Sequence, residues 1–190
     1  SRAVGSEGQS IGPNVSGGTA MIRGIHHVAI CTPDLDRLAA FYRDVIGFTE
    51  VMNTSWSDRP IVDRIINLRG SAARQIMLQA GNAYLELFQY ELPAGTPADP
   101  NRTPASQGYT HFCLDVVDID AEYERLRNHG MTFHSPPPTP KELGSNHIRA
   151  IYARDPDGNI VELKGPITSQ KDKREASKRR AAAKRKALVS

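Results

Sequence analysis

The strongest constraint on the fold is an internal repeat, because the same order of residue types occurs twice in this chain. Each copy begins with a His among Val, Ile or Phe, continues with an acidic residue and an amphipathic stretch, and stops at a Gly. The copies cover 24–47 and 108–130. Such a repeat indicates one supersecondary unit used twice. At 190 residues, the chain is long enough for two small modules that share a core.

Each copy is predicted to form a strand followed by a helix. The β-branched and aromatic residues around each His favour a half-buried, extended segment. Asp34 and Asp118 are suited to cap the two helices, because their side-chain oxygens can accept from the free N–H groups of a first turn. Gly47 and Gly130 fit the left-handed position after a helix end. Apolar residues recur at helical spacing between these signals.

Further strands are expected after each helix, so the sequence predicts an α+β protein made of two tandem βαβββ modules. The predicted strands cover 48–52, 65–68, 75–78 and 83–90 in the first module, and 131–134, 148–154 and 160–164 in the second. The segment 155–159, Asp-Pro-Asp-Gly-Asn, is a strong hairpin signal. The predicted organisation is a leader at 1–20, a first module at 21–91, a linker at 92–107, a second module at 108–168 and a basic tail at 169–190.

Composition excludes several classes of protein. No apolar run approaches the roughly 18 to 20 residues that a membrane span needs. The leader is rich in Gly and Ser and is not a secretory signal peptide, so we expect it to be disordered, with Met21 a plausible natural start. The two cysteines form no C-x-x-C motif, which makes the cytoplasm the expected location.

Positive charge is concentrated in the tail. Residues 171–186 hold nine Lys or Arg and two acidic residues, which leaves 15 basic and 19 acidic residues elsewhere. The body is therefore mildly acidic, and the net charge of +3 is no argument that it binds nucleic acid. The tail is expected to be solvated, and weak contact with nucleic-acid phosphates is the alternative.

Four side chains occupy matching places in the two modules. His27 and His111 lie in the first predicted strand of each module, and Glu86 and Glu162 lie in the last. Alternation along the last strands puts the apolar neighbours of each Glu on the opposite face. A lone buried carboxylate costs several kcal/mol, and a divalent cation would supply the compensating charge. Two imidazoles and two carboxylates suit such an ion and leave room for water or substrate. Taken singly, each residue is more often structural or solvent-facing, but the pairing favours a metal.

These segments resemble the vicinal oxygen chelate superfamily, which includes glyoxalase I, methylmalonyl-CoA epimerase, extradiol dioxygenases and antibiotic-resistance proteins. The resemblance covers about 22–166, and it is carried by 26–30, 33–35, 41–48, 84–87, 111–112, 117–120 and 155–163. It implies two βαβββ modules whose sheets form a cupped half-barrel around a metal site. It also implies a homodimer.

The resemblance implies that His27, Glu86, His111 and Glu162 bind one divalent ion, with Zn, Ni, Co, Mn and Fe all possible. His27 is expected to be the ligand because the family's ligand directly precedes the strand, and His26 should then face the sheet–helix layer. Retention of Glu86 favours the glyoxalase I and epimerase type, since extradiol dioxygenases typically use two His and one carboxylate. Glu86 and Glu162 are both candidates for the catalytic base.

The implied function is a metal-dependent lyase or isomerase that moves a proton next to a carbonyl while the metal stabilises the enediolate. The expected substrate is a small 2-oxo compound, thioester or hemithioacetal, although no constellation for a glutathione carboxylate is evident. An extradiol ring-cleaving dioxygenase and a non-catalytic ligand-binding protein of the resistance type are the alternatives. Four residues are candidates for the substrate pocket, with core or solvated positions as the alternative: Tyr84, Phe88, Tyr109 and Arg64.

Overall fold

The computed structural model describes residues 22–99, 101–144, 148–166 and 178, and it contains two similar modules. The first comprises β1 (His27–Cys31), α1 (Leu35–Ala40), a π-helical segment (Phe41–Ile46), β2 (Thr49–Trp56), α2 (Pro60–Ile66), β3 (Ala72–Ala80) and β4 (Ala83–Leu92). The second comprises β5 (His111–Asp115), α3 (Ile119–Arg127), β6 (Thr132–Phe133), α4 (Pro140–Leu143), β7 (Ile148–Arg154) and β8 (Ile160–Pro166).

Each module forms one four-stranded mixed sheet, in the order β1-β4-β3-β2 or β5-β8-β7-β6. The first strand runs parallel to the last, and the other pairs are antiparallel. The predicted α+β class and tandem repeat are therefore confirmed. Within the described residues neither sheet closes into a barrel, and β1 and β5 each form a sheet edge.

The helices cover one face of each sheet and leave the other face open. Leu85 and Leu87 of β4 and Leu163 of β8 are buried in a core that both modules share. In β1 exposure alternates, so that His27, Ala29 and Cys31 are exposed while the residues between them pack against the core. The faces that carry the predicted ligands are therefore the uncovered faces.

The predicted helix signals are confirmed. The Asp34 carboxylate accepts from the N–H of Arg37 at 3.1 Å, and the Asp118 carboxylate caps α3 in the same way. Gly47 and Gly130 have φ values of 99° and 94°, which side chains with a Cβ rarely adopt.

The predicted strand at 65–68 is wrong, because 65 and 66 belong to α2. Two β-branched residues in sequence favour an extended segment, but Pro60 fits the first turn of a helix and Asn67 ends it in the left-handed conformation. The Asp63 carboxylate then accepts from the N–H groups of Gly70 and Ser71 at 2.7 and 2.9 Å. These local bonds fix the helix although none of its residues is buried.

The leader at 1–20 and nearly all of the tail at 169–190 lie outside the described residues, so the expectations for them stay predictions. None of the helices in the described part of the chain has the length and apolar character needed to cross a membrane.

Candidate metal centre

The first module places His27 and Glu86 together on its open face. Because Leu85 and Leu87 point into the core, the side chain of Glu86 must point to the opposite face of β4. Its Oε2 lies 3.3 Å from Nε2 of His27. The amide of Gln75, on β3, donates to Oε1 of the same carboxylate.

The second module repeats this arrangement. The Nε2 atom of His111 lies 3.2 Å from Oε2 of Glu162. The hydroxyl of Tyr152, on β7, lies 3.5 Å from the same nitrogen. Burial and the neighbouring Glu162 carboxylate raise the pKa of the Cys113 thiol to about 11, so this cysteine is a neutral neighbour of the pair at physiological pH.

The four predicted ligands thus come together as two pairs, one in each module. Across the described residues there is no group of three or more His, Cys, Asp or Glu side chains arranged to hold one metal ion. A complete four-ligand site is therefore not assembled within the described part of a single chain. The metal-binding roles of His27, Glu86, His111 and Glu162 stay predictions.

Each pair has the spacing of two ligands that share a metal ion. Metal–nitrogen and metal–oxygen bonds of roughly 2.0 to 2.2 Å place two ligands of the same ion about 3.0 to 3.4 Å apart. The observed separations of 3.3 and 3.2 Å lie within this interval. Imidazole and carboxylate donors also suit the ions Zn, Ni, Co, Mn and Fe. Each His–Glu pair therefore fits two ligand positions of a divalent metal ion.

Burial shows why these carboxylates call for a cation. The side chains of Glu86 and Glu162 are only 12% and 15% exposed, whereas those of His27 and His111 are 40% and 25% exposed. The carboxylates are thus largely removed from water, and the imidazoles stand at the open surface in front of them. Shielding two negative charges from water without compensation would be costly.

His26 does not face the sheet–helix layer, so that prediction is wrong. Its ring is stacked on Tyr84, with centroids 4.9 Å apart, and its Nδ1 lies 2.9 Å from Nδ1 of His27. The physical reason is that β1 begins at His27. The strict alternation of side chains between faces does not extend to the residue before the strand.

The predicted pocket residues occupy different surroundings. Tyr84 lies beside His26, and Phe88 packs edge-to-face on Trp56 with centroids 5.9 Å apart. Tyr109 is 65% exposed just before β5, and Arg64 lies on α2, which has no buried residue. The roles of all four in binding a substrate stay predictions.

Sequence reasoning missed Gln75 and Tyr152, which contact the two pairs. Alternation within β3 and β7 places each on a definite face, but only the strand register identifies what it faces. The register sets Tyr152 opposite Glu162, and it sets Gln75 opposite Phe88, which lies two residues after Glu86 on the same face of β4.

An open depression of about 570 Å³ lies between β2 and β3, and none of the four predicted ligands lines it. Its walls are mostly polar and include Trp56, Arg59, Arg74 and Glu91. Arg74 is already bound to Asp36 by two hydrogen bonds of 2.9 and 2.7 Å. The imidazole and carboxylate donors and their separations of 3.3 and 3.2 Å therefore favour the open faces with the His–Glu pairs as the functional site.

The protein is thus built from two related modules, and each has an open sheet whose uncovered face carries a His from the first strand and a Glu from the last. The chain belongs to the Glyoxalase/Bleomycin resistance protein/Dioxygenase superfamily, whose family model matches residues 24–163.

Similar proteins support an enzymatic function. The 2-epi-5-epi-valiolone epimerase of an Actinomyces species is 32% identical over 148 residues, which cover 73% of this chain and 77% of that protein. The ethylmalonyl-CoA/methylmalonyl-CoA epimerase of Cereibacter sphaeroides is 30% identical over 145 residues, which cover 75% and 98% of the two chains. A metallothiol transferase of Shouchella clausii also matches, so the relatives and the superfamily match support a metal-dependent function of the isomerase or transferase type.

A solved structure shows the same fold. The crystal structure of a glyoxalase family protein from Bacillus cereus matches 80% of this chain and 100% of that chain with a TM-score of 0.69. At 19% sequence identity, this match establishes the architecture alone.

Proposed function

We propose that this protein is a metal-dependent lyase or isomerase of the glyoxalase and epimerase type. It would move a proton next to the carbonyl of a small 2-oxo, thioester or hemithioacetal substrate. The observation that carries this proposal is the pair of matched His–Glu contacts, at 3.3 and 3.2 Å, on the open faces of two related sheets. The epimerases among the relatives favour proton transfer over oxygen chemistry.

The His and Glu side chains have separable tasks in this proposal. His27 and His111 would hold the ion through Nε2, and Glu86 and Glu162 would supply oxygen ligands. When bound, the metal supplies a Lewis acid for the substrate oxygen and so acidifies the neighbouring C–H bond. A carboxylate beside that carbon accepts the proton and returns it, so no other reactant is consumed.

The contacts of the two carboxylates favour Glu162 as the mobile base. The Glu86 side chain is 12% exposed and accepts from the Gln75 amide as well as facing His27. Glu162 likewise faces His111, but its second partner is the Cys113 thiol, which is a weaker donor than an amide. Glu162 would therefore be the carboxylate that shifts to take the proton, and Glu86 would remain a fixed ligand.

We further infer that a second copy of the chain completes the site. The edge strands β1 and β5 each begin with one of the predicted His ligands. An unpaired strand edge is a surface on which another chain can pair. A two-fold dimer that sets β1 of one protomer beside β5 of its partner would join two half-sites into one, and it would do so twice.

The test is solvent deuterium incorporation by the metal-loaded protein, scored on a panel of 2-oxo acids and acyl thioesters. We expect exchange at the carbon next to the carbonyl, without oxygen consumption, and loss of exchange in Glu162→Gln. Oxygen uptake with catechols and no deuterium exchange would instead identify a ring-cleaving dioxygenase. Tight ligand binding with neither reaction would identify a binding protein.

A further inference from the structure

The residue that precedes each predicted His ligand contacts the Nδ1 atom of that ligand. His26 Nδ1 lies 2.9 Å from His27 Nδ1, and Thr110 Oγ1 lies 2.8 Å from His111 Nδ1. The two positions correspond in the internal repeat, although one holds an imidazole and the other a hydroxyl. Two different side chains therefore reach the same atom in both modules.

When the neighbouring atom accepts, this contact favours one of the two nitrogens for metal binding. A neutral imidazole carries its proton on one nitrogen and a lone pair on the other. An acceptor at Nδ1 favours the Nδ1–H form, which leaves the lone pair on Nε2. In both modules Nε2 is the atom that faces the Glu carboxylate, at 3.3 and 3.2 Å.

The two preceding residues have different surroundings. His26 accepts the backbone N–H of Tyr84 at 3.0 Å through its carbonyl, and its ring is stacked on the Tyr84 ring at an interplanar angle of 24°. Thr110 is half-buried directly before β5. Each side chain therefore places at Nδ1 an atom that can accept a hydrogen bond.

We propose that His26 and Thr110 are positioning residues, which hold His27 and His111 in the Nδ1–H form and aim Nε2 at the metal. The proposal rests on the proposed function only in that it takes the His–Glu pairs to be metal ligands. Side chains that orient a ligating His in this manner typically change metal affinity by about 10- to 100-fold when they are removed.

Thr110 offers the sharper test, because two substitutions differ only in the hydroxyl. Thr110→Val keeps the shape and removes the acceptor, whereas Thr110→Ser keeps the acceptor. Zinc affinity is measured on the full-length protein by competition with a chromophoric chelator. We expect Thr110→Val to bind zinc about 10- to 100-fold more weakly and Thr110→Ser to bind it almost as the wild type does. Equal affinities for Val and wild type would overturn the proposal.

At the other position, His26→Asn and His26→Phe form the corresponding pair. The Asn carbonyl can replace the acceptor, and the Phe ring can keep the stacking on Tyr84 without an acceptor. Affinity should fall in His26→Phe and be largely retained in His26→Asn. The reverse order would show that stacking, and not the contact with His27, is what matters.

A second readout requires no metal. Nitrogen-15 NMR of the metal-free protein at about pH 8, above the ordinary pKa of His, identifies the protonated ring nitrogen. The Glu162 carboxylate near Nε2 favours the opposite form in every metal-free variant, so the comparison is between proteins. We expect the wild type to populate the Nδ1–H form of His111 more than Thr110→Val does, and equal populations would overturn the proposal. A difference between the two in a protein that binds no metal would overturn the proposed function and leave the positioning role supported.

Discussion

At the scale of single residues, the proposed chemistry depends on two carboxylates, Glu86 and Glu162, that are largely shielded from water. Each lies in a strand whose neighbouring side chains are buried, and each faces an imidazole within 3.3 Å. A bound cation would compensate the negative charges of these carboxylates and so stabilise the arrangement. The same cation would activate a substrate for proton transfer. Substitutions that remove charge without changing shape separate these contributions.

Glu86→Gln and Glu162→Gln are predicted to have different effects. Glu86→Gln removes the proposed fixed ligand and should greatly lower the metal content of the purified protein. Glu162→Gln removes the proposed base, so deuterium exchange should fall by about 10²- to 10⁴-fold while much of the bound metal is retained. Elemental analysis and exchange measured on the same preparations check both results. Full exchange in Glu162→Gln would transfer the role of base to Glu86.

Gln75→Leu tests the amide that donates to Glu86. The substitution leaves one oxygen of a buried carboxylate without its donor, which typically costs about 1 to 3 kcal/mol. We expect the metal-free protein to lose free energy of unfolding by that amount in urea titrations, and we expect added zinc to recover part of the loss. Gln79→Leu, four positions further along β3, serves as the control. An equal loss in both variants would contradict a specific role for Gln75.

At the scale of elements, α2 is held to the sheet by polar bonds instead of by a buried face. The Asp63 carboxylate accepts from the Ser71 hydroxyl, which in turn accepts from the indole N–H of Trp56 at 2.9 Å. Trp56 packs edge-to-face on Phe88 and Tyr90. The conformation of α2 is thereby coupled to an aromatic cluster on the same sheet as the first His–Glu pair.

Acidification should loosen this coupling. The Ser71 hydroxyl and the backbone N–H groups of Ser71 and Gly70 lower the pKa of Asp63 below its ordinary value of 3.8. A carboxylate with a lowered folded pKa stabilises the fold above the pKa of the unfolded chain, and this contribution is lost as pH falls through the folded pKa. Because Trp56 is the single tryptophan, its fluorescence reports the change directly.

We expect the wild-type Trp56 emission to shift to the red at acidic pH and the Asp63→Ala emission to be shifted already at neutral pH. Ile65→Ala, at a position of α2 that is 74% exposed, is the matched control and should behave as the wild type does. Unchanged neutral emission in Asp63→Ala would contradict the coupling.

Sequence patterns predicted those elements whose signals are local. The caps at Asp34 and Asp118, the stops at Gly47 and Gly130 and the alternation along the last strands all act within a few residues. Helix α2 escaped prediction because its β-branched residues favour a strand, and the bonds that decide the matter come from an Asp whose partners lie seven and eight residues away.

The candidate site was predictable only in part for a related reason. Face alternation identifies His27 and Glu86 as side chains of one face, but it carries no information about which strands are neighbours. The roles of Gln75 and Tyr152 follow from strand register. His26 precedes the first residue of β1, so alternation wrongly predicted that its side chain faces the sheet–helix layer, whereas it contacts His27.

At the scale of the whole molecule, the two modules are joined through their helical sides. The Tyr42 hydroxyl donates to Asp155, in the hairpin between β7 and β8, at 2.8 Å. Asp155 is 5% exposed and also accepts from Asn159 and from the backbone of Asp157. The shared core therefore contains a polar contact between modules, and the open faces with the His–Glu pairs stay free.

This contact predicts an unusual pH dependence. Burial raises the pKa of the Asp155 carboxyl above 3.8, in opposition to its hydrogen bonds with Asn159, Tyr42 and Asp157, so the fold favours the protonated form. Its stabilising contribution is complete below the pKa of the unfolded chain and is lost as pH rises through the folded pKa.

In urea titrations, the free energy of unfolding of the wild type should therefore fall relative to that of Asp155→Asn as pH rises above 4. Asp99→Asn, in an exposed part of the linker, should leave the pH dependence of the wild type unchanged. A free energy of unfolding of the wild type that rises relative to that of Asp155→Asn with rising pH would contradict the prediction.

The central claim is that two half-sites from different protomers form one metal site, and subunit complementation tests it most directly. His27→Ala and His111→Ala each damage every site of their own homodimer. A heterodimer of the two variants contains one doubly damaged site and one intact site. After the variants are unfolded and refolded together in equal amounts, we predict that about a quarter of the wild-type high-affinity metal sites return. The claim would be contradicted if metal titration of the mixture found no more high-affinity sites than titration of the separate variants.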